Sequence, residues 1–171
     1  MSTTALREAL ESISRIIEEQ PEKARAKGNP ATARLEEGLR TMVTGPNGES
    51  LHTDMPAALG GGATAPRPGW LLRAAIASCT TTVIAMRAAR QGINLDLLEV
   101  SVDSESDNRG MLGLHDRVSA GMSSLRARVR LAADGVPTEQ LRALATWGEA
   151  HSPVGCTVRN PPDVRVEVEI E

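Results

Sequence analysis

Two cysteines, Cys79 and Cys156, are the residues of this 171-residue chain best suited to chemistry. Cys79 lies in the middle of the largely apolar segment 67–91, and Cys156 lies in the segment 151–160, HSPVGCTVRN, which is typical of a short helix start. A thiolate attacks a peroxide oxygen and becomes a sulfenic acid, which a second thiol traps as a disulfide. The two cysteines therefore predict either a redox centre or a pair of inert, buried thiols.

The remaining polar residues favour no competing chemistry. His151 adjoins Ser152, but this pair alone does not make a hydrolase triad. His52 and His115 are isolated, and no Cys/His pair has zinc-ligand spacing, so we expect no metal and no cofactor. The triple glycine at 60–62 lacks the GK[ST] ending of a phosphate loop and the strand–GxGxxG–helix setting of a dinucleotide site. We therefore expect it to have a structural role.

Cys79 must be positioned by a long central helix. Pro68 suits its first turn and Gly92 suits its C-terminal end. The helix is apolar on all sides, which predicts a place in the protein centre, a Cys79 that is buried or nearly so, and a homodimer. No Arg or Lys lies three or four residues from Cys79, so an activating cation must come from another segment. One stripe has helical spacing: Leu72, Ile76, Cys79, Val83 and Met86.

The other segments predict an α+β fold with largely antiparallel sheet. Asn47-Gly48 is a strong hairpin signal between two strands in 31–56, and 97–104 and 123–134 alternate as further strands. Helices are predicted from Thr138 and from Ser152-Pro153, and a last strand over 163–171. We expect residues 1–30 to form a helical extension and linker and residues 31–171 to form the main domain.

Composition narrows the function further. There is no Phe or Tyr, the formal net charge is −3 and no basic stripe is present, so nucleic-acid binding is disfavoured. No stretch reaches the roughly 18 apolar residues of a membrane span, and the N-terminus lacks an apolar signal core. These features predict a cytoplasmic protein without membrane association. Two cysteines in that setting favour free or redox-active thiols over a structural disulfide.

Three segments resemble the OsmC family (osmotically inducible protein C, with the organic hydroperoxide resistance proteins). They are GGGATAPRPGWLLRAAIASC at 60–79, EVSVDSESDNRGMLG at 99–113, and AHSPVG at 150–155 followed by the final strand. The resemblance covers about residues 31–171 and implies an intertwined homodimer, with antiparallel sheets around a long central helix. It also implies peroxiredoxin-like chemistry, in which a thiolate reduces organic hydroperoxides and a second cysteine resolves the sulfenic acid. A dithiol reductant, such as a lipoylated protein, then reduces the disulfide.

The resemblance assigns roles to individual residues. Cys79 takes the position of the attacking thiol. Arg40 is nearest to the family's activating arginine, and Arg34 is second. Gly69 occupies the position of the family's catalytic glutamate, which Asp54 or Glu49 could replace. The family's resolving Cys-Pro is here Ser152-Pro153, and Cys156 follows four residues later.

Two functions are therefore consistent with the sequence. The first is a thiol-dependent hydroperoxide reductase with Cys79 as nucleophile, Cys156 as resolving thiol and Arg40 as activator. The second is a non-peroxidase OsmC-like binding or stress-associated protein with a hydrophobic cleft at its dimer interface. The two retained cysteines favour the first function, whereas the missing glutamate and the shifted second cysteine favour the second.

Overall fold

The structure is a computed structural model that describes residues 2–170. It combines helices with antiparallel strands, which confirms the predicted α+β class. The helices are α1 (Thr3–Glu19), α2 (Pro68–Arg90), α3 (Asn108–Met111), α4 (Thr138–Ala150) and α5 (Pro153–Arg159). The strands are β1 (Thr32–Leu35), β2 (Thr41–Thr44), β3 (Ser50–Thr53), β4 (Leu97–Ser106) and β5 (Met122–Ala132). Short 3-10 turns occur at Pro21–Ala24 and Ala57–Leu59.

The strands form two antiparallel sheets. β1, β2 and β3 make a three-stranded sheet in chain order, and β4 pairs with β5. The predicted hairpin at Asn47-Gly48 is confirmed: Thr44 pairs with Ser50, and the Gly45 amide donates to the Glu49 carbonyl at 2.9 Å. Gly48 has φ +88°, a left-handed conformation that glycine adopts without the steric cost of a Cβ.

The chain divides into two compact units, one of residues 8–75 and one of residues 76–170 with residues 2–7. The boundary falls within α2. The core of the second unit is formed by four buried aliphatic residues packed on side chains of β4 and β5, namely Ile84, Ala88, Ile93 and Leu144. Burying each large aliphatic side chain contributes about 1.5–3 kcal/mol. The sequence-based division at residue 30 stays a prediction.

The buried stripe of α2 differs from the predicted one. Its buried residues are Ile76, Thr80, Ile84, Ala88 and Ala89, mainly at intervals of four. Leu72 is exposed, whereas Cys79, predicted to be buried or nearly so, is partly buried. The stripe lies one residue further along the helix, which leaves Cys79 at its edge. In the described residues, α2 is also the one helix long and apolar enough to cross a membrane, a property that core helices of soluble proteins share.

The predicted last strand is absent from the described chain. Residues 162–170 have no regular secondary structure, and all of them are exposed. The alternating apolar side chains of this segment are 76–91% exposed: Val164, Val166, Val168 and Ile170. The alternation typical of a half-buried strand is present, but a strand forms only where a neighbouring strand supplies hydrogen bonds.

Candidate redox site

Cys79 lies halfway along α2 and is a free thiol with intermediate exposure. It belongs to the unit of residues 76–170. Within residues 2–170, no side chain makes a hydrogen bond or ion pair with its sulfur. The expectation that an arginine from outside its helix approaches Cys79 therefore stays a prediction. Cys79 is thus a partly exposed thiol on the central helix.

Arg40 lies just before β2 and is held on two sides. Its Nε donates to Glu36 Oε2 at 3.1 Å, and its Nη1 donates to Thr64 Oγ1 at 2.6 Å. Glu36 Oε2 is also 3.3 Å from His52 Nε2. The turn between β1 and β2 brings Glu36 back towards Arg40, because the Glu36 amide donates to the Arg40 carbonyl at 3.0 Å. The guanidinium is thus oriented before any ligand arrives, although the pair is partly exposed and worth little as a stabilising ion pair.

The carboxylate beside Arg40 is one that the sequence analysis did not single out. Asp54 and Glu49 were the candidates to replace the family's glutamate, whereas Glu36 makes the contact. Glu49 instead accepts hydrogen bonds from the side chain and backbone of Asn47, which lower the pKa of its carboxyl. Glu36 and Arg40 are four residues apart across a tight turn. That spacing was the available sequence signal, but using it to pair the two residues would have required knowledge of the turn between β1 and β2.

Asp54 organises the glycine-rich loop instead. It is buried, with 2% exposure, and its carboxylate accepts from the amides of Met55, Gly62 and Thr64 and from the Thr64 hydroxyl. The hydrogen bonds from Thr64 are the main reason that the pKa of Asp54 falls to about 2. A carboxylate that accepts several hydrogen bonds keeps its charge without a cation partner. Thr64 joins this loop to Arg40, so Asp54 acts on the guanidinium through Thr64.

The triple glycine is structural, as expected. A Cβ on Gly61 would lie 2.0 Å from the Met55 carbonyl oxygen, and Gly60 has φ +86°. Only glycine lets the backbone approach so closely at this point. The Gly61 amide donates to the Pro56 carbonyl at 3.2 Å, which closes the turn.

Cys156 lies in the middle of α5, whose start follows the predicted pattern. Ser152, fully buried, is the N-cap and accepts from the Gly155 amide at 3.4 Å, and Pro153 is the first helical residue. The Cys156 thiol donates to the Ala150 carbonyl at 3.1 Å. Arg159 Nη2 lies 3.3 Å from the Cys156 sulfur. Arg159 follows Cys156 by three residues, a helical neighbour spacing that the sequence analysis missed.

Arg159 is in turn held by Glu149. Its Nη1 forms an ion pair with Glu149 Oε1, and its Nη2 donates to the Glu149 carbonyl at 3.1 Å. Cys156, Arg159 and Glu149 therefore form a thiol–cation–carboxylate cluster at the corner between α4 and α5. Arg159 and Glu149 are 43% and 50% exposed, so the cluster faces solvent.

A stack of rings lies beside the same corner. The Trp147 and His151 rings are parallel, with centroids 3.9 Å apart, and the Arg87 guanidinium lies 4.6 Å from the Trp147 centroid. His151 Nδ1 is 2.7 Å from the Trp147 carbonyl oxygen. These contacts engage His151 with Trp147 and give no indication of a catalytic base.

The sequence-predicted site residues thus fall into separate groups. Cys79 and Cys156 are free thiols of one unit, and Arg40 belongs to the other. Residues 2–170 contain no group of three or more His, Cys, Asp or Glu side chains able to hold a metal ion. Among residues 2–170 the cation that does contact a cysteine sulfur is Arg159, at Cys156, which the sequence analysis had not proposed.

Comparisons with known proteins agree with this architecture. A family model described as OsmC-like protein matches residues 60–167. No curated protein matches the chain. Among solved structures, the fold is similar to an OsmC-like protein from Mycoplasma pneumoniae, with TM-score 0.67 and 14% identity over 80% of this chain and 91% of that one.

Two further solved structures are named for hydroperoxide resistance. An organic hydroperoxide resistance protein from Legionella pneumophila is similar with TM-score 0.59 and 20% identity, over 80% of this chain and 92% of that one. The organic hydroperoxide resistance protein OhrB of Bacillus subtilis is similar with TM-score 0.53 and 21% identity, over 84% of this chain and 98% of that one. At these identities the likeness shows a common fold.

Proposed function

Because the chain belongs to the OsmC-like protein family, we propose that it reduces organic hydroperoxides by thiol chemistry. Cys79 is the nucleophile, Cys156 the resolving thiol and Arg40 the activating cation. The observation that carries the proposal is the pair of free, partly exposed thiols, one of them on the central helix of this fold. The neighbours named for organic hydroperoxide resistance support the substrate class.

The reaction proceeds in three balanced steps. The Cys79 thiolate attacks the terminal oxygen of ROOH, the O–O bond breaks, and the leaving alkoxide takes a proton, which gives Cys79 sulfenic acid and ROH. The Cys156 thiol then displaces the sulfenic oxygen as water and forms a disulfide with Cys79. A dithiol, such as that of a lipoylated protein, reduces this disulfide and becomes a cyclic disulfide itself.

Arg40 is suited to the first step because hydrogen bonds fix the orientation of its guanidinium. Its guanidinium is held by Glu36 and Thr64 before substrate binds, so little reorganisation is needed when charge develops on sulfur and oxygen. Glu36 takes the role that Gly69 cannot perform. Asp54 accepts a hydrogen bond from the Thr64 hydroxyl and so fixes the group to which Arg40 donates.

We propose a homodimer as the working form. Only 17% of the residues in an 18-residue apolar window of α2 are fully buried within the chain, and an apolar helix covered so incompletely calls for a partner. The segment 163–170 carries the alternation of a strand without a strand neighbour, and the sheet edge of a second copy would supply one. We place the protein in the cytoplasm, where thiols remain reduced.

A second function is favoured by one observation, the lack of a hydrogen bond or ion pair to the Cys79 sulfur within residues 2–170. Without an activating cation Cys79 would stay a weak nucleophile. The protein would then be a binding or stress-associated protein whose hydrophobic cleft forms at the dimer interface.

Mass spectrometry after treatment with tert-butyl hydroperoxide separates the two functions. For a reductase, Cys79 is oxidised first and a Cys79–Cys156 disulfide follows. Cys79→Ser abolishes peroxide consumption, whereas Cys156→Ser preserves the first oxidation and lets Cys79 proceed to sulfinic acid. We expect the alkyl hydroperoxide to react faster than hydrogen peroxide, since α2 is aliphatic around Cys79. A Cys79 that stays a free thiol in excess peroxide establishes the binding function instead.

A further inference from the structure

The cluster of Cys156, Arg159 and Glu149 has chemistry that the hydroperoxide reaction does not require. A resolving thiol needs only to reach a sulfenic acid. Cys156 instead has a guanidinium nitrogen 3.3 Å from its sulfur, and that guanidinium is fixed by the carboxylate and the carbonyl of Glu149. A charged N–H donor at hydrogen-bond distance stabilises a thiolate more than it stabilises a thiol.

We propose that Cys156 is a site of thiol–disulfide exchange in its own right, which forms mixed disulfides with low-molecular-weight disulfides without help from Cys79. Arg159 is the positioning residue that holds the thiolate, and Glu149 holds Arg159. This inference goes beyond the hydroperoxide reaction, because neither Cys79 nor a peroxide takes part.

The exchange is balanced as written. The Cys156 thiolate attacks one sulfur of R–S–S–R, a new S–S bond forms, the old one breaks, and RS⁻ leaves and takes a proton from water. The reverse reaction with a free thiol restores Cys156. The site faces solvent, since Arg159 and Glu149 are both nearly half exposed, and Cys156 itself is partly exposed.

Two contacts of the Cys156 sulfur oppose each other. The neutral thiol donates to the Ala150 carbonyl at 3.1 Å, a bond that only the protonated form makes. The thiolate loses that bond and accepts from Arg159 instead. Arg159 Nη2, 3.3 Å from the sulfur, is the donor that remains beside Cys156 when the S–H is absent.

A purely structural role is the competing explanation. The last carbonyls of a helix lack intrahelical donors, and here Cys156 and Arg159 donate to the Ala150 and Glu149 carbonyls at the end of α4. On that account Arg159 affects stability but not the chemistry of sulfur. The two accounts differ in what happens to the reaction rate when the charge of Arg159 is removed and the fold is kept.

The test compares two full-length proteins with one thiol each. Cys79→Ser keeps only the thiol of Cys156, and Cys156→Ser keeps only the thiol of Cys79. Each is incubated with uncharged hydroxyethyl disulfide and with anionic oxidised glutathione, and the mixed disulfide is followed by intact mass. We expect Cys156 to react at least about fivefold faster than Cys79 in the folded proteins, and the two to react equally in urea. A Cys79 that reacts as fast as Cys156 in the folded state overturns the proposal.

Arg159→Gln in the Cys79→Ser background should slow Cys156 about fivefold with both disulfides. The smaller fraction of thiolate is partly offset, because a thiolate that is less stabilised by a cation is a stronger nucleophile. Arg159→Lys should retain most of the rate. The matched control is Arg142→Gln, which removes the same charge from an exposed Arg–Glu pair of α4 that has no thiol. An unchanged rate in Arg159→Gln, or a loss confined to the anionic disulfide, overturns the proposal.

Glu149→Gln keeps the test decisive if Arg159→Gln does not fold. It weakens the ion pair that holds Arg159 against the sulfur, so Cys156 should react at least about twofold more slowly with both disulfides. An unchanged rate at unchanged circular dichroism would mean that the cluster only caps α4.

Discussion

The Thr64 hydroxyl donates to Asp54 Oδ2 across 2.8 Å while the same oxygen accepts from Arg40 Nη1 at 2.6 Å. A buried carboxylate and a half-buried guanidinium are thus linked through one hydroxyl rather than paired directly. The arrangement keeps Asp54 fully hydrogen-bonded and leaves part of the Arg40 guanidinium available to a ligand. It also makes the glycine-rich loop and the orientation of Arg40 depend on the same carboxylate.

Acid stability should depend on Asp54. The hydrogen bonds from Thr64 lower its pKa from an ordinary value near 3.8 to about 2 in the folded protein. Its contribution to stability is therefore fully present above about pH 4 and is lost as the pH falls towards 2, because the unfolded chain binds the proton first. In Asp54→Asn the urea concentration at the unfolding midpoint should therefore decrease less between pH 4 and pH 2 than it does in the parent protein.

The control for that measurement is Asp116→Asn, which removes a carboxylate from an exposed loop. It should leave the shape of the stability–pH curve between pH 4 and pH 2 as in the parent protein. An Asp54→Asn curve that still follows the parent over this range would contradict the assignment.

Gly61 should not tolerate a side chain. A Cβ at this position would meet the Met55 carbonyl oxygen at 2.0 Å, so Gly61→Ala must displace backbone. Forcing atoms into a packed site costs about 1–3 kcal/mol, which corresponds to a fall in Tm of roughly 5 °C. Gly28→Ala is the matched control, because nothing lies within 4 Å of a Cβ there. Equal melting temperatures for the two variants, measured by differential scanning fluorimetry, would refute the prediction.

Arg40, rather than Arg34, should govern peroxide reduction. Arg40→Gln removes a guanidinium oriented by Glu36 and Thr64 and should slow the first oxidation of Cys79 by about tenfold or more. Arg34→Gln removes an equal charge from an exposed position on β1 and should have little effect. Stopped-flow measurement of single-turnover oxidation compares the two. The reverse order of effects would assign the activating role to Arg34.

The chain should be a dimer held in part by its C-terminal segment. Light scattering at micromolar concentration should give twice the 18.1 kDa chain mass. Val166→Asp places a charge on the apolar face of the segment and should shift the mass towards the monomer. Glu167→Gln, on the alternate face, should not. A monomeric parent protein would exclude the proposed assembly.

Local patterns determined those elements whose conformation depends on adjacent residues. The hairpin at Asn47-Gly48 follows from glycine's tolerance of a positive φ, and the start of α5 follows from a serine cap and a proline that needs no amide partner. The α+β class followed from periodicity, because 3.6-residue and two-residue repeats are properties of the chain itself. The position of Cys79 on a long apolar helix could be predicted for the same reason.

Contacts between distant segments were decided only by the tertiary structure. Glu36 was not predicted beside Arg40, because the contact depends on how the turn before β2 folds back, and Thr64 reaches Arg40 from 24 residues away. The partial exposure of Cys79 depends on which stripe of α2 meets the core, and a shift of one residue corresponds to a rotation of about 100° around the helix axis. The strand predicted over 163–171 did not form in the described chain. Alternation of apolar and polar residues specifies only which side chains lie on which face of a strand. Its hydrogen bonds must come from a neighbour, and no sequence pattern supplies one.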